Sequence, residues 1–167
     1  AVFFPSFRMM DDISALLNFK GRPVLIQRPR MPENERQELL EILQRGEGHV
    51  LLGVLGGIFS EGVDLPSNAL LCSIVVGPSL PQASLGRRLL QQWYQKRYGK
   101  GFQYAWLVPG MAKVGQAAGR VIRGPNDIGT IVLIGKRFLQ AGFQECLPVE
   151  WSLMSSTDIF SDLTQFW

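Results

Sequence analysis

HVLLGVLGGIFSEGVDLPSNALLCSIVVG, His49 to Gly77, holds two apolar runs around a glycine-rich, acid-bearing loop. The runs, 49–55 and 69–76, are short and almost unbroken, as strands buried on both faces are. Val2–Phe4, Pro23–Gln27 and Thr130–Ile134 read the same way. Between them lie amphipathic segments. Met9–Phe19 places Met9, Met10, Ile13, Leu16 and Leu17 at helical spacing. Pro32–Arg45 has Glu33 and Glu35 in its first turn and Gly46 after its end. Ser84 caps a helix that reaches Tyr98 and stops at Gly99. Pro109–Arg123 is a further helix, ended by Gly124 and Pro125, and Asp158–Trp167 reads as a short helical tail. Apolar strands alternating with helices specify an α/β fold, a parallel sheet with helices on both faces. Such sheets bind ligands beyond the carboxyl ends of their strands, which is where residues 56–68 and 77–83 fall.

At 167 residues, with no repeat or linker, the chain is expected to form one domain over 1–167. Hydrophobic residues make up 46% and charged residues 19%, which excludes a disordered chain. The longest apolar runs are too short to span a bilayer. Cys72 and Cys146 stand singly, so neither metal spacing nor a disulfide framework is expected. No signal peptide is visible, and a reducing, cytoplasmic compartment is the expectation. The chain opens inside an apolar run without methionine, as a piece of a longer protein would. Its charge is segregated: residues 87–137 hold ten cations against Asp127 alone, a net +9, whereas 1–64 sum to −2 and 138–167 to −4. A concentrated basic segment is the footprint of a polyanion site or an ordinary solvated helix face.

Four segments carry candidate chemistry. In QAAGRVIR, Gln116, Arg120 and Arg123 stand at i, i+4 and i+7, one face of a helix. An amide and two guanidiniums there suit bidentate recognition of phosphate oxygens. Gly115 and Gly119 each weaken a helix by roughly 1 kcal/mol, which implies close packing or a ligand. In GGIFSEGVDLPSNALL, Glu61 and Asp64 are acids in apolar surroundings, fit for a cation, a hydroxyl or a basic partner; a glycine-rich turn with satisfied carboxylates fits equally. In FFPSFRMMDDI, Ser6 and the following helix start can hold a phosphate, and Phe7 can stack on a base. A plain strand-to-helix turn capped by Ser6 fits as well. In SLGRRLLQQWYQKRYGKG, Arg87, Arg88, Lys96, Arg97 and Lys100 alternate with Trp93, Tyr94 and Tyr98, a composition suited to single-stranded nucleic acid. Leu85, Leu89, Leu90 and Trp93 are expected to form that helix's buried stripe. No G-x-x-x-x-G-K-[ST] phosphate loop and no magnesium-binding acid pair occur, and His49 reads as structural.

Taken in order, these segments resemble the second motor domain of superfamily 2 helicases, specifically the XPD/DinG family of DNA helicases. VFFPSFRMM is similar to motif IV. GGIFSEGVDLPSNALL is similar to motif V, with S-E-G-[IV]-D at Ser60–Asp64, and QAAGRVIRGPNDIGTIVLIGKRF to motif VI and its following strand. The resemblance implies a RecA-like domain of the P-loop NTPase type that lacks its own phosphate loop. It further implies that the first motor domain carries that loop, the magnesium-binding acids and an iron–sulfur cluster, with ATP in the cleft between the two. Gln116, Arg120 and Arg123 would then face the phosphates. Glu61, Gly62 and Asp64 would border the nucleotide. Ser6, Phe7, Ser60, Arg87, Arg88, Arg97 and Lys100 would contact single-stranded DNA. It also implies 5′-to-3′ movement and a role linked to repair or replication. Two departures stand out: Gly135-Lys136-Arg137-Phe138 has glycine where the family often has an acid, and Asp127-Ile128-Gly129 replaces a common D-Y-G. The competing expectations are a nucleic-acid or protein-binding module without motor activity, and a stand-alone enzyme for a phosphorylated small molecule.

Overall fold

A computed structural model describes residues 1–46, 48–62, 69–122, 124 and 126–167. Asp64 and Arg123 lie outside the described residues. Among the described residues the strands are β1 (Val2–Phe4), β2 (Val24–Ile26), β3 (Val50–Val54), β4 (Cys72–Val76) and β5 (Thr130–Ile134). All pair in parallel in the order β2-β3-β1-β4-β5. The helices are α1 (Phe7–Ser14), α2 (Glu33–Gln44), α3 (Leu85–Tyr98), α4 (Val108–Ala118), α5 (Ala141–Gln144) and α6 (Ile159–Phe166).

Alternation along β1 divides the core. Phe3 points to the face covered by α2 and α4, where Leu51, Val75, Met111 and Val114 pack. Phe4 points to the other, against Leu52 and Met10 of α1. The expected α/β layering is therefore present. Local caps set several helix ends. The Ser6 hydroxyl accepts from Met9 N at 3.3 Å, so α1 starts at Phe7 rather than Met9. The Ser84 hydroxyl accepts from Arg87 N at 3.2 Å, and Gly99 closes α3 in the left-handed region at φ 68°.

One boundary departs from the sequence expectation in a way that matters. α4 ends at Ala118 with Gly119 as its cap, so Arg120 follows the helix instead of riding on it. Val121 is the cause. Its amide turns back to Ala118 O at 3.2 Å, and its side chain is buried in the core. The same insertion explains Gly129, where a Cβ would collide with Val121 and stand 3.0 Å from Leu71 O. At Gly135, φ is +143°, a conformation that strongly favours glycine, so the residue that replaces the family's acid is fixed by its backbone.

Candidate nucleotide and nucleic-acid interface

β1, β3 and β4 are neighbours at the sheet centre, so the segments after them converge on one edge. The Ser79 hydroxyl donates to Pro5 O at 3.5 Å, joining the loops after β4 and β1. After β3 the chain makes a π-helical turn, Ile58–Gly62. Phe59 and Ser60 point inward and are fully buried, while Glu61 and Gly62 face solvent. The Ser60 hydroxyl donates to Gly57 O at 3.0 Å. A Cβ on Gly57 would lie 2.5 Å from Gln27 Nε2 and 2.8 Å from Val54 O, so the tight entry to the turn depends on glycine. Gln27 is itself buried and accepts from Val54 N at 3.2 Å. Sequence reading missed it, since a glutamine ending an apolar run carries no signal of burial.

The motif V and motif VI segments meet here. Half-buried Arg120 donates from Nε to Ser60 O at 3.1 Å, which sets the plane of its guanidinium at the sheet edge. Gln116 is exposed one turn earlier on α4. A Cβ on Gly115 or Gly62 would meet no described atom within 4 Å, so packing among the described residues does not account for either glycine. Arg120, Gln116, Glu61 and Gly62 are thus brought to one open edge.

The residues assigned to DNA divide. Ser6 is exposed and spends its hydroxyl as a helix cap. Phe7 packs half-buried on the Phe4–Met10 core, and the Ser60 side chain is inside. Arg87 donates to Ala105 O at 3.1 Å and so docks α3 on a second π-helical turn, Gln103–Leu107. Arg88, Arg97 and Lys100 are exposed.

α3 itself corrects an expectation. Leu85, Leu89, Leu90 and Trp93 are 76%, 55%, 45% and 53% exposed, and no residue of the helix is buried. The side turned to the domain carries Arg87, Gln91 and Tyr94 instead. Gln91 accepts from Trp106 Nε1 at 2.9 Å, and Tyr94 meets Tyr104 edge-on at 5.4 Å between centroids. Polar and aromatic docking has replaced leucine packing. The outer side displays Trp93 and Tyr98, 5.9 Å apart, with the Arg97 guanidinium 5.8 Å from the Tyr98 centroid. Beside it an open groove of about 710 Å3 is lined by Arg88, Gln91, Lys96 and Trp106, among others.

Burial pushes the Cys72 and Cys146 thiols up from their usual range, so both stay protonated at neutral pH. Among the described residues no helix is long and apolar enough to cross a membrane.

Comparison with known proteins gives the family and the fold. A family model described as "Helicase C-terminal domain" matches residues 1–153. The ATP-dependent DNA helicase CHL1 of Candida albicans is 27% identical, aligning with 90% of this chain and 20% of its own length. The XPD helicase subunit of general transcription and DNA repair factor IIH from Dictyostelium discoideum is also 27% identical, over 90% of this chain and 21% of its own. The 3'-5' exonuclease DinG of Staphylococcus saprophyticus is 26% identical, over 99% and 18%. Two solved XPD structures share the fold, at TM-scores of 0.68 and 0.66 with 21% and 23% identity. They cover 87% of this chain in each case, and 26% and 30% of their own. The chain spans about a fifth of the length of these curated relatives. With five parallel strands, the motif V and VI segments joined at their carboxyl edge, and a family match over most of its length, the chain belongs to the helicase C-terminal domain family.

Proposed function

We propose that this chain is the second motor domain of an ATP-dependent DNA helicase, completing an ATP site whose phosphate loop and magnesium ligands lie on a first motor domain. The Arg120–Ser60 tie carries the reading. Phosphoryl transfer builds negative charge on the γ-phosphate oxygens, and the catalytic demand is preplaced positive charge. An arginine held through Nε keeps its fork oriented before any ligand arrives, so little reorganisation remains when a cleft closes on it. Gln116 on the same edge supplies an amide. Arg123, by its place in the motif, supplies a second fork. Glu61 and Gly62 sit on the turn whose carbonyl holds Arg120, so a nucleotide felt by the arginine is felt by that turn. Asp64 is assigned to the same nucleotide border by its place in the motif.

This division of labour has a direct test. The isolated chain is expected to hydrolyse ATP no faster than buffer. The full-length protein should reach about 1 s⁻¹ or more with single-stranded DNA present. Turnover by the isolated chain at that rate would remove the half-site reading.

Single-stranded DNA is assigned to the exposed surface of α3 and the turn after it, where Arg88, Arg97 and Lys100 meet phosphates and Trp93 and Tyr98 meet bases. Changing those three cations together to Ala in the full-length protein should weaken single-strand binding. It should also reduce the log–log salt slope by about 2, near 0.7 per phosphate contact. Arg87 is left in place because it anchors the helix. The exposed leucines of α3 favour a second reading, a protein-docking face. Unchanged affinity and slope in the triple variant would select it.

A further inference from the structure

The stripe of α4 that leads to Gln116 and Arg120 holds another cation. Lys113 stands three residues before Gln116, on the same side of α4, which ends two residues before Arg120. Its side chain crosses to the carboxyl end of β3 and lies on Gly56. A Cβ on Gly56 would stand 2.8 Å from Lys113 Nζ and 3.1 Å from Cε. Gly56 also has φ +77°, so both its backbone and its missing side chain make room for the ammonium. Lys113 is half-buried. Among the described residues it has neither an ion-pair nor a hydrogen-bond partner.

An ammonium that has lost part of its hydration without gaining a counter-charge is unfavourable unless an anion completes it. Among the described residues no carboxylate pairs with Lys113. We infer that Lys113 is a phosphate-binding residue of this edge, a compact charge set one turn before Gln116 on the helix that leads to Arg120. The inference rests on the helicase reading and extends it to a residue outside the motifs. The phosphate belongs either to the nucleotide or to the DNA backbone. A lysine serves both, because it contacts phosphate as a point charge and not as a planar fork.

The test uses the full-length protein with Lys113→Met, which keeps the stem over Gly56 and removes the charge, and Lys113→Arg, which keeps the charge. One arm measures binding of a non-hydrolysable ATP analogue without DNA. The other measures binding of an oligothymidylate without nucleotide. Lys113→Met should weaken at least one of them about tenfold, the loss expected of a charge-assisted hydrogen bond. Lys113→Arg should recover most of it, and the melting temperature should not move. The arm that weakens identifies the source of the phosphate. If wild type binds both probes and Lys113→Met stays within about twofold in each, the assignment of Lys113 is wrong and the helicase reading stands. Weakening that comes with a lowered melting temperature, or that Lys113→Arg fails to recover, means lost packing and also overturns it. If wild type binds neither probe, the helicase reading has failed first.

Discussion

Arg120→Ala in the full-length protein is expected to lower DNA-stimulated ATP turnover about 10³-fold or more, the lower bound for an arginine finger. That loss is about 4 kcal/mol of barrier. Stability should change far less. Among the described contacts the variant removes the hydrogen bond from Nε to Ser60 O, and a bond of this kind is worth about 1 kcal/mol. For a domain of this size each such bond is worth about 2–4 °C of melting temperature. Arg120→Lys should rescue little, because an ammonium cannot hold Ser60 O and also present a fork to phosphate. Steady-state ATPase over a range of ATP concentrations, read beside thermal unfolding, separates the two effects. Turnover within tenfold of wild type in a folded Arg120→Ala variant would contradict the catalytic assignment, since the expected loss is about two decades greater.

The largest expected effect on stability comes from the turn that Arg120 grips. Phe59 is fully buried and packs in the cluster that contains Phe3, Met111 and Val114. Phe59→Ala should cost about 3–5 kcal/mol through lost transfer energy and a residual cavity. Native domains hold only about 5–15 kcal/mol in reserve, so the melting temperature should fall by roughly 10 °C. Thermal unfolding followed by circular dichroism measures it. Glu61→Gln, two residues on and exposed, is the control and should melt with wild type. If Phe59→Ala melts within about 2 °C of wild type, the turn is not anchored by its aromatic residue.

How far the sequence reveals this molecule depends on the range of the interactions that decide each part. α3 and β5 run over the residues expected of them, Leu85–Tyr98 and Thr130–Ile134. Their limits are written locally, by Ser84, Gly99 and an apolar run. The end of α4 is not legible in that way. QAAGRVIR continues a helical pattern, but Val121 gains more by entering the core beside Gly129 than by extending the helix, and that partner is eight positions away in the chain. The sidedness of α3 fails for the same reason. Its leucines read as an inner face, whereas Arg87 and Gln91 find Ala105 and Trp106 and take that role. Of the candidate site, Arg120, Gln116, Glu61 and Gly62 were legible from motif spacing. Gln27 and Lys113 were not, because each matters through a glycine in another segment, Gly57 and Gly56, whose bare Cα admits it.

The central place of β1 bears on how such a domain reaches its fold. Val2 pairs across to Leu52 on one side and to Ile74 on the other. Two adjacent phenylalanines, Phe3 and Phe4, both fully buried at the end, must wait for partners about 50 and about 70 positions later. The edge pair β2–β3 also waits for β3. On a ribosome that emits about 5–20 residues per second, the two phenylalanines wait seconds for their strand partners, with only Met10 and Phe7 of α1 at hand for Phe4. The middle strand is made first but its neighbours β3 and β4 come later, and β2, made second, can join the sheet only through β3, so early chain collapse is the hazardous phase of this domain's synthesis.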